Sequence, residues 1–466
     1  MTRIETVKSS FRDPGTQVFM ADGKVYRHIR RAAMPHYDAL MKSGLYDRLV
    51  KENLLVPHDD VTSRFAGPLG AVEGEVVIEP VMIPFISHPF EWSFSALKQA
   101  ALATLKIQKL CLDHGMTLQD ASAFNVQFLN GHWVFIDTGS FQIREGSQPW
   151  GAYRQFCQHF LAPLLLMAYR DGRLVSLFAK YLDGIPLDLA NALLPLRAKC
   201  RLSVFLHIVM HSKYAVRDFS KDTKQTAQDV SPAAAYGLLD QLQSLIFSLR
   251  IDRRETVWTA YEETHTYNQQ EFQDKEDFIL KSAGVLKPRH VWDLGANAGH
   301  FSRLVAASTK NDVAVTALEY DFMTVEAGTR KSAAVLHNQP LHIWMDLLNP
   351  SAGAGWGGTE WASLQNRGPA DLVLALALIH HICLAGNISF EQFFAYLAGF
   401  AKNVIVEFVP KTDPQSQRLL RSKKDIYDLY TQEHFEKAFS AFFTVQDTAT
   451  VSNTGRTLYA LTRKEA

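Results

Sequence analysis

Cysteine is scarce in this 466-residue chain: four residues, Cys111, Cys157, Cys200 and Cys383, stand far apart with no CxxC pair. That excludes a disulfide framework and a zinc ribbon, and four buried thiols in a reducing compartment are expected. Net charge is lacking as well, because 48 Lys and Arg balance 48 Asp and Glu. A chain-wide basic surface is therefore excluded, and nothing in the charge pattern points strongly to nucleic acid. Long apolar runs are missing too. Phe160–Ala168 is short, and Leu372–Ala385 is interrupted by His380 and His381, so no membrane span is expected. Met1–Gly15 is polar and has no apolar core of a secretory signal, which makes a cytoplasmic location the expectation. With 47% hydrophobic and 21% charged residues, the chain can bury a core and is not a disordered polymer.

The length suits two or three domains. In the first half, Gln17–Met20 and Lys24–Ile29 flank Ala21-Asp22-Gly23 and read as a hairpin. Met34–Glu52 reads as one helix. Glu75–Ile83 reads as a strand, placed at an edge or bent by Pro80. Ser93–His114 is a helix with Ser93 or Ser95 as its cap and Gly115 as its stop. Asn125–Phe128 and Trp133–Ile136 form a hairpin through Asn130-Gly131, and Trp150 to Arg250 is almost wholly helical apart from a polar loop at Lys221–Pro232. A charged stretch, Arg250 to Glu255, precedes a change of pattern. We expect an N-terminal α+β domain over 1–250 and a second domain over 255–466.

The second domain alternates strands and helices. Strands are expected at Val291–Leu294, Val313–Glu319, Leu341–Trp344, Asp371–Ala377 and Asn403–Phe408, closed by an antiparallel pair, Phe443–Thr450 and Thr457–Thr462. This is the pattern of an open, mostly parallel α/β sheet of Rossmann-like type. Its sharpest feature is Asp293-Leu294-Gly295-Ala296-Asn297-Ala298-Gly299 between a strand and the helix Phe301–Ser308. Such a turn lets backbone approach a ligand at the carboxyl ends of the strands. It is not the dinucleotide fingerprint, because Asn297 stands where a middle glycine would be. Asp293 can face an amine. Glu319, closing the next strand, can accept both hydroxyls of a ribose. Lying at the crevice, Glu319 is expected to contribute little to stability without a ligand.

Asp293 through Gly299 resembles the first motif of class I S-adenosylmethionine-dependent methyltransferases, over about residues 255–466. That resemblance implies S-adenosyl-L-methionine as cofactor, with Asp293, Gly295, Asn297 and Gly299 at its amino-acid end, Glu319 at the ribose and Asp346 at the adenine. It also places His380 and His381 after the fourth strand, where one could take a proton from the acceptor if its pKa stays near neutral. Tyr267 could close over the cofactor. Asp346-Leu347-Leu348-Asn349-Pro350-Ser351 and Glu407-Phe408-Val409-Pro410-Lys411 resemble a bacterial subgroup, some of whose members are nodulation-related.

In the first half, Asp120 and Asn125 precede a hairpin that Asp137 closes. This resembles the catalytic loop and metal-binding acid of kinase-like phosphotransferases. No glycine-rich loop or V-A-I-K lysine accompanies it; Lys24 or Arg27 would have to substitute. The expected function is methyl transfer to an unidentified acceptor, a small molecule by preference. The alternatives are a kinase-like phosphotransferase with a regulatory cofactor domain, and a non-catalytic cofactor sensor. No metal is expected at the methyl-transfer site, and nothing in the sequence sets the oligomeric state.

Overall fold

A computed structural model describes residues 4–65, 74–212, 229–252, 269–308, 313–334, 338–421 and 424–465. Tyr267, the charges Arg253 to Glu255 and residues 221–228 of the expected polar loop lie outside them. The chain divides into two compact units. Unit 1 is Met1–Asp252 together with Ala354–Trp361, and unit 2 is Arg253–Gly353 together with Ala362–Ala466.

Unit 1 opens with a five-stranded antiparallel sheet, in spatial order Ile4–Thr6, Thr16–Ala21, Lys24–Ile29, Val76–Pro80 and His58–Asp60. Asp22 and Gly23 both take positive φ in the first hairpin turn, the geometry that matches strand twist. The expected helix over Met34–Glu52 is two, Met34–Lys42 and Leu45–Lys51, because Gly44 at φ +78° breaks it. The Pro80 strand is internal rather than at an edge. Proline is tolerated there because it is the strand's last residue, opposite His58. Phe94–Asp113 follows, its N-terminus capped by the Ser93 hydroxyl accepting the Ala96 N–H at 3.2 Å. After it comes the hairpin Val126–Leu129 and His132–Phe135. The rest of the described unit is mainly helical, with Phe160, Leu164 and Leu165 fully buried. Ala354–Trp361 joins it from far along the chain: the Trp361 ring stacks on Phe124 at 4.3 Å, and Glu360 pairs with Arg12. Three of the cysteines are buried, but Cys200 is exposed, which corrects the expectation of four buried thiols.

Unit 2 is a Rossmann-like α/β sheet of seven strands: β1 (His290–Leu294), β2 (Ala314–Glu319), β3 (Leu341–Trp344), β4 (Ala370–Ala375), β5 (Ala401–Phe408), β6 (Phe443–Thr450) and β7 (Thr457–Arg463). Their order is β3-β2-β1-β4-β5-β7-β6. Strands β1 to β5 pair in parallel, and β7 runs antiparallel between β5 and β6. The helices α1 (Gln269–Leu286), α2 (His300–Ser308) and α3 (Phe322–Ala333) cover the first strands. Parallel strands buried on both faces read as continuous apolar runs. Accordingly Val291, Val315, Leu372, Leu374 and Ile405 pack under Phe278 and Ile279 of α1 and Val305 of α2. The strand order reverses at β1, between β2 and β4. Open α/β sheets place ligand crevices outside the carboxyl ends of the strands at such a point.

Candidate functional site

Four parallel strands deliver their final residues to one edge of the unit 2 sheet. β1 supplies Asp293 and runs into the glycine turn, β2 ends at Glu319, Asp346 follows β3, and His380 and His381 follow β4. The turn itself is left-handed at three residues: Gly295 (φ +72°), Asn297 (+50°) and Gly299 (+79°). Asparagine is among the few non-glycine residues that enter this region readily, so the residue that breaks the dinucleotide spacing still serves the same bend. The N–H groups of Gly295 and Ala296 both donate to the Leu318 carbonyl, at 2.9 and 3.0 Å. These bonds tie the turn to β2.

Glu319 completes that tie. One carboxylate oxygen accepts the Asn297 N–H at 2.9 Å and the other accepts the Asp321 N–H at 2.8 Å. The residue is only 9% exposed, so the expectation that it contributes little to the ligand-free fold is corrected. Removing the carboxylate leaves two backbone donors without their acceptor. Burial pushes its pKa up to about 7, against the opposing pull of those N–H bonds. A carboxylate has about four acceptor positions, so the two bonds leave capacity for ligand hydroxyls.

Asp293 is turned inward. It accepts the Ser302 hydroxyl of α2 at 2.6 Å, and burial raises its pKa to about 6. Asp346 is half-buried, with one oxygen accepting the Leu348 N–H at 2.9 Å. His380 is 1% exposed, and its ring lies 4.2 Å from that of His381. Burial depresses both, His381 to about 4. Burial thus disfavours the charged imidazole at both positions, away from the near-neutral pKa expected of a base.

Two features escaped sequence reasoning. His342 on β3 fills the space beside the second turn glycine; a Cβ at Gly299 would meet its ring at 2.3 Å, and one at Gly328 of α3 at 2.6 Å. Its Nε2 pairs with Ser332 at 2.8 Å. Nothing marks a lone histidine in a short strand, although two small residues at the same packing point are the trace it leaves. The second feature is a buried charge quartet. Lys275 of α1 meets Glu407 of β5 at 2.8 Å, Arg456 meets Glu407 at 3.1 Å, and Arg456 meets Asp413 at 2.7 Å. Burial alone would raise the Glu407 pKa, but Lys275 and Arg456 outweigh it and hold the carboxyl below its ordinary range. Glu407 also accepts the Ala377 N–H at 2.8 Å. Ala377 sits at φ +45°, just after β4, and Leu378, beside it, lies over Gly295, where a Cβ would meet it at 3.1 Å. The quartet thus fixes the loop that carries His380.

Unit 1 assembles its own three residues. Asp120 hydrogen-bonds with Asn125 and feels the charge of Asp137, and burial raises its pKa. Asp137 pairs with Arg27 and also accepts the Ser140 hydroxyl at 2.5 Å and the Gly139 N–H at 3.1 Å. Lys24 pairs instead with Glu79. Among the described residues no group of three or more His, Cys, Asp or Glu side chains could hold a metal ion.

No family model matches the chain. It is 33% identical over 472 residues to the nodulation protein NoeA of Rhizobium meliloti (strain 1021), covering 98% of this chain and 96% of that protein. Similar solved structures include the magnesium protoporphyrin IX methyltransferase of Synechocystis PCC 6803 with bound SAH. It is 19% identical over 44% of this chain and 93% of its own, with a TM-score of 0.33. Another is the bifunctional kinase-methyltransferase WbdD, 17% identical over 47% of this chain and 45% of its own, with a TM-score of 0.30.

Proposed function

The chain belongs to the family of the nodulation protein NoeA, and from that premise we propose that unit 2 is an S-adenosylmethionine-dependent methyltransferase acting on a small-molecule acceptor. The observation that carries this reading is the coupling of Glu319 to the Asn297 N–H, which locks an acceptor carboxylate beneath a left-handed glycine turn at the strand-order reversal. The residues fit the cofactor. The turn from Gly295 to Gly299 would take its amino-acid end, the free acceptor positions of Glu319 its ribose, and Asp346 its adenine. Asp293 shapes the turn by gripping Ser302 at the start of α2. Bound there, the cofactor supplies a methyl group on a sulfonium, open to in-line displacement by an acceptor. His380 and His381, uncharged, would orient the acceptor by hydrogen bonding more than strip it of a proton. Positioning of this kind suffices for a displacement.

Titration calorimetry on the full chain tests the reading. S-adenosylmethionine or its demethylated product should bind. Glu319→Ala should weaken binding by about ten- to a few-hundredfold, the loss of two charge-assisted hydrogen bonds. Folded protein that takes up neither compound would overturn it.

Unit 1 is proposed as a kinase-like module that no longer transfers phosphoryl groups. Its carboxylates are gathered as such a site requires, but Asp137 is committed to Arg27, a hydroxyl and an N–H. As arranged, these residues do not fit a divalent cation. Magnesium and ATP together should leave the melting temperature of the protein unchanged. A stabilisation that vanishes in Asp137→Asn would restore the phosphotransferase.

A further inference from the structure

Unit 1 carries a surface that the methyl-transfer reading does not use. Between Leu189 and Ser212 the chain holds no Asp or Glu, yet it places Arg197 and Lys199 together. Its helical run Leu202–Met210 buries one side, where Val204 and Ile208 are fully enclosed. The other side turns Leu202 (71% exposed), Phe205 (42%) and Leu206 (37%) to solvent. These three stand at the i, i+3, i+4 spacing of a single helical stripe. Just upstream, Leu196 is 78% exposed. Isolated exposed leucines need no explanation, but several in one stretch mark a docking surface.

We propose that this face seats unit 1 on a lipid bilayer rich in anionic headgroups. The charge pattern selects that occupant. Large apolar side chains flanked by cations, in a stretch free of acids, match the acyl boundary beneath a negatively charged headgroup layer. The attachment proposed is peripheral; among the described residues no helix is long and apolar enough to cross a membrane. The neutral overall charge does not oppose it, since surface potentials act over about 8–10 Å in salt and the local patch decides.

Co-sedimentation of the full chain with vesicles tests the proposal. Vesicles of phosphatidylcholine mixed with phosphatidylglycerol should bind the protein at least about tenfold more tightly than phosphatidylcholine alone, and added salt should weaken this. The double variant Leu202→Ser, Phe205→Ser should lose about tenfold or more of that binding with an unchanged melting temperature. Arg197→Glu with Lys199→Glu should abolish the preference for the anionic lipid, and it decides the matter if the first variant fails to fold. The proposal is overturned if neither vesicle binds, or if both variants sediment as the wild type does. It is also overturned if the serine variant instead dissociates a dimer without affecting lipid binding, for then the face joins two copies of this chain.

Discussion

Two carboxylic acids at the crevice, Asp293 and Glu319, are buried with their pKa values raised to about 6 and about 7. Their ordinary values are 3.8 and 4.5. A carboxyl whose pKa is higher in the folded than in the unfolded chain favours the fold most when both states are protonated. That contribution is full below about pH 4 and is lost as pH rises to about 7, by about 3 kcal/mol for each group. Urea denaturation of the cofactor-free protein should show unit 2 weakening over this window, and Glu319→Gln should flatten its upper part. A slope unchanged in that variant would mean that Glu319 is not the group titrating. The cofactor should respond in the opposite sense. Ribose hydroxyls donate to the ionised form, so the affinity for S-adenosylhomocysteine should rise about tenfold between pH 6 and pH 8, following the ionised fraction. Calorimetry at the two pH values checks this, and in Glu319→Gln the rise should disappear.

Elements in unit 2 were legible because periodicity and turn chemistry agreed there. The limits of β3 and β6 are as expected, and β1, β2, β5 and β7 differ by one or two residues. The strand expected over Asp371–Ala377 ends at Ala375 instead, since Ala377 is drawn to positive φ by a carboxylate on the neighbouring strand, which local pattern cannot show. The break at Gly44 was hidden by the unbroken apolar spacing of the helix around it. The site divides in the same manner. The turn and Glu319 could be read from adjacent residues, whereas Lys275, Arg456 and His342 meet their partners only through tertiary folding. The quartet gives an element-level test. Lys275→Met strips a buried carboxylate of one cation and should destabilise unit 2 by about 3–5 kcal/mol. Lys281→Ala, six residues further on in α1, removes only an exposed pair with Asp447 and should change stability by less than about 1 kcal/mol. Comparable effects from the two in urea denaturation would show that the quartet does not anchor α1.

At the scale of the whole molecule, sequence order and structural membership part company. Ala354–Trp361 is encoded between β3 and β4 of unit 2 but belongs to unit 1. A reading that cuts the chain once, near residue 250, cannot find such a segment, because nothing in these eight residues, Ala354-Gly355-Trp356-Gly357-Gly358-Thr359-Glu360-Trp361, announces a distant partner. Its contacts make the assignment testable. Within unit 1, Trp361 stacks on Phe124 at an interplanar angle of 28° and meets His88 edge-on at 6.1 Å. Trp361→Ala removes both contacts. Because Trp361 is only half-buried, the cost should be about 2 kcal/mol, below that of deleting a fully enclosed tryptophan. In calorimetry the transition of unit 1 should fall by a few degrees. The transition that S-adenosylhomocysteine raises identifies unit 2, and it should stay where it is, with cofactor affinity within about threefold of the wild type. The opposite pattern, a weakened cofactor-responsive transition beside an unchanged one, would return the segment to the unit that encodes it.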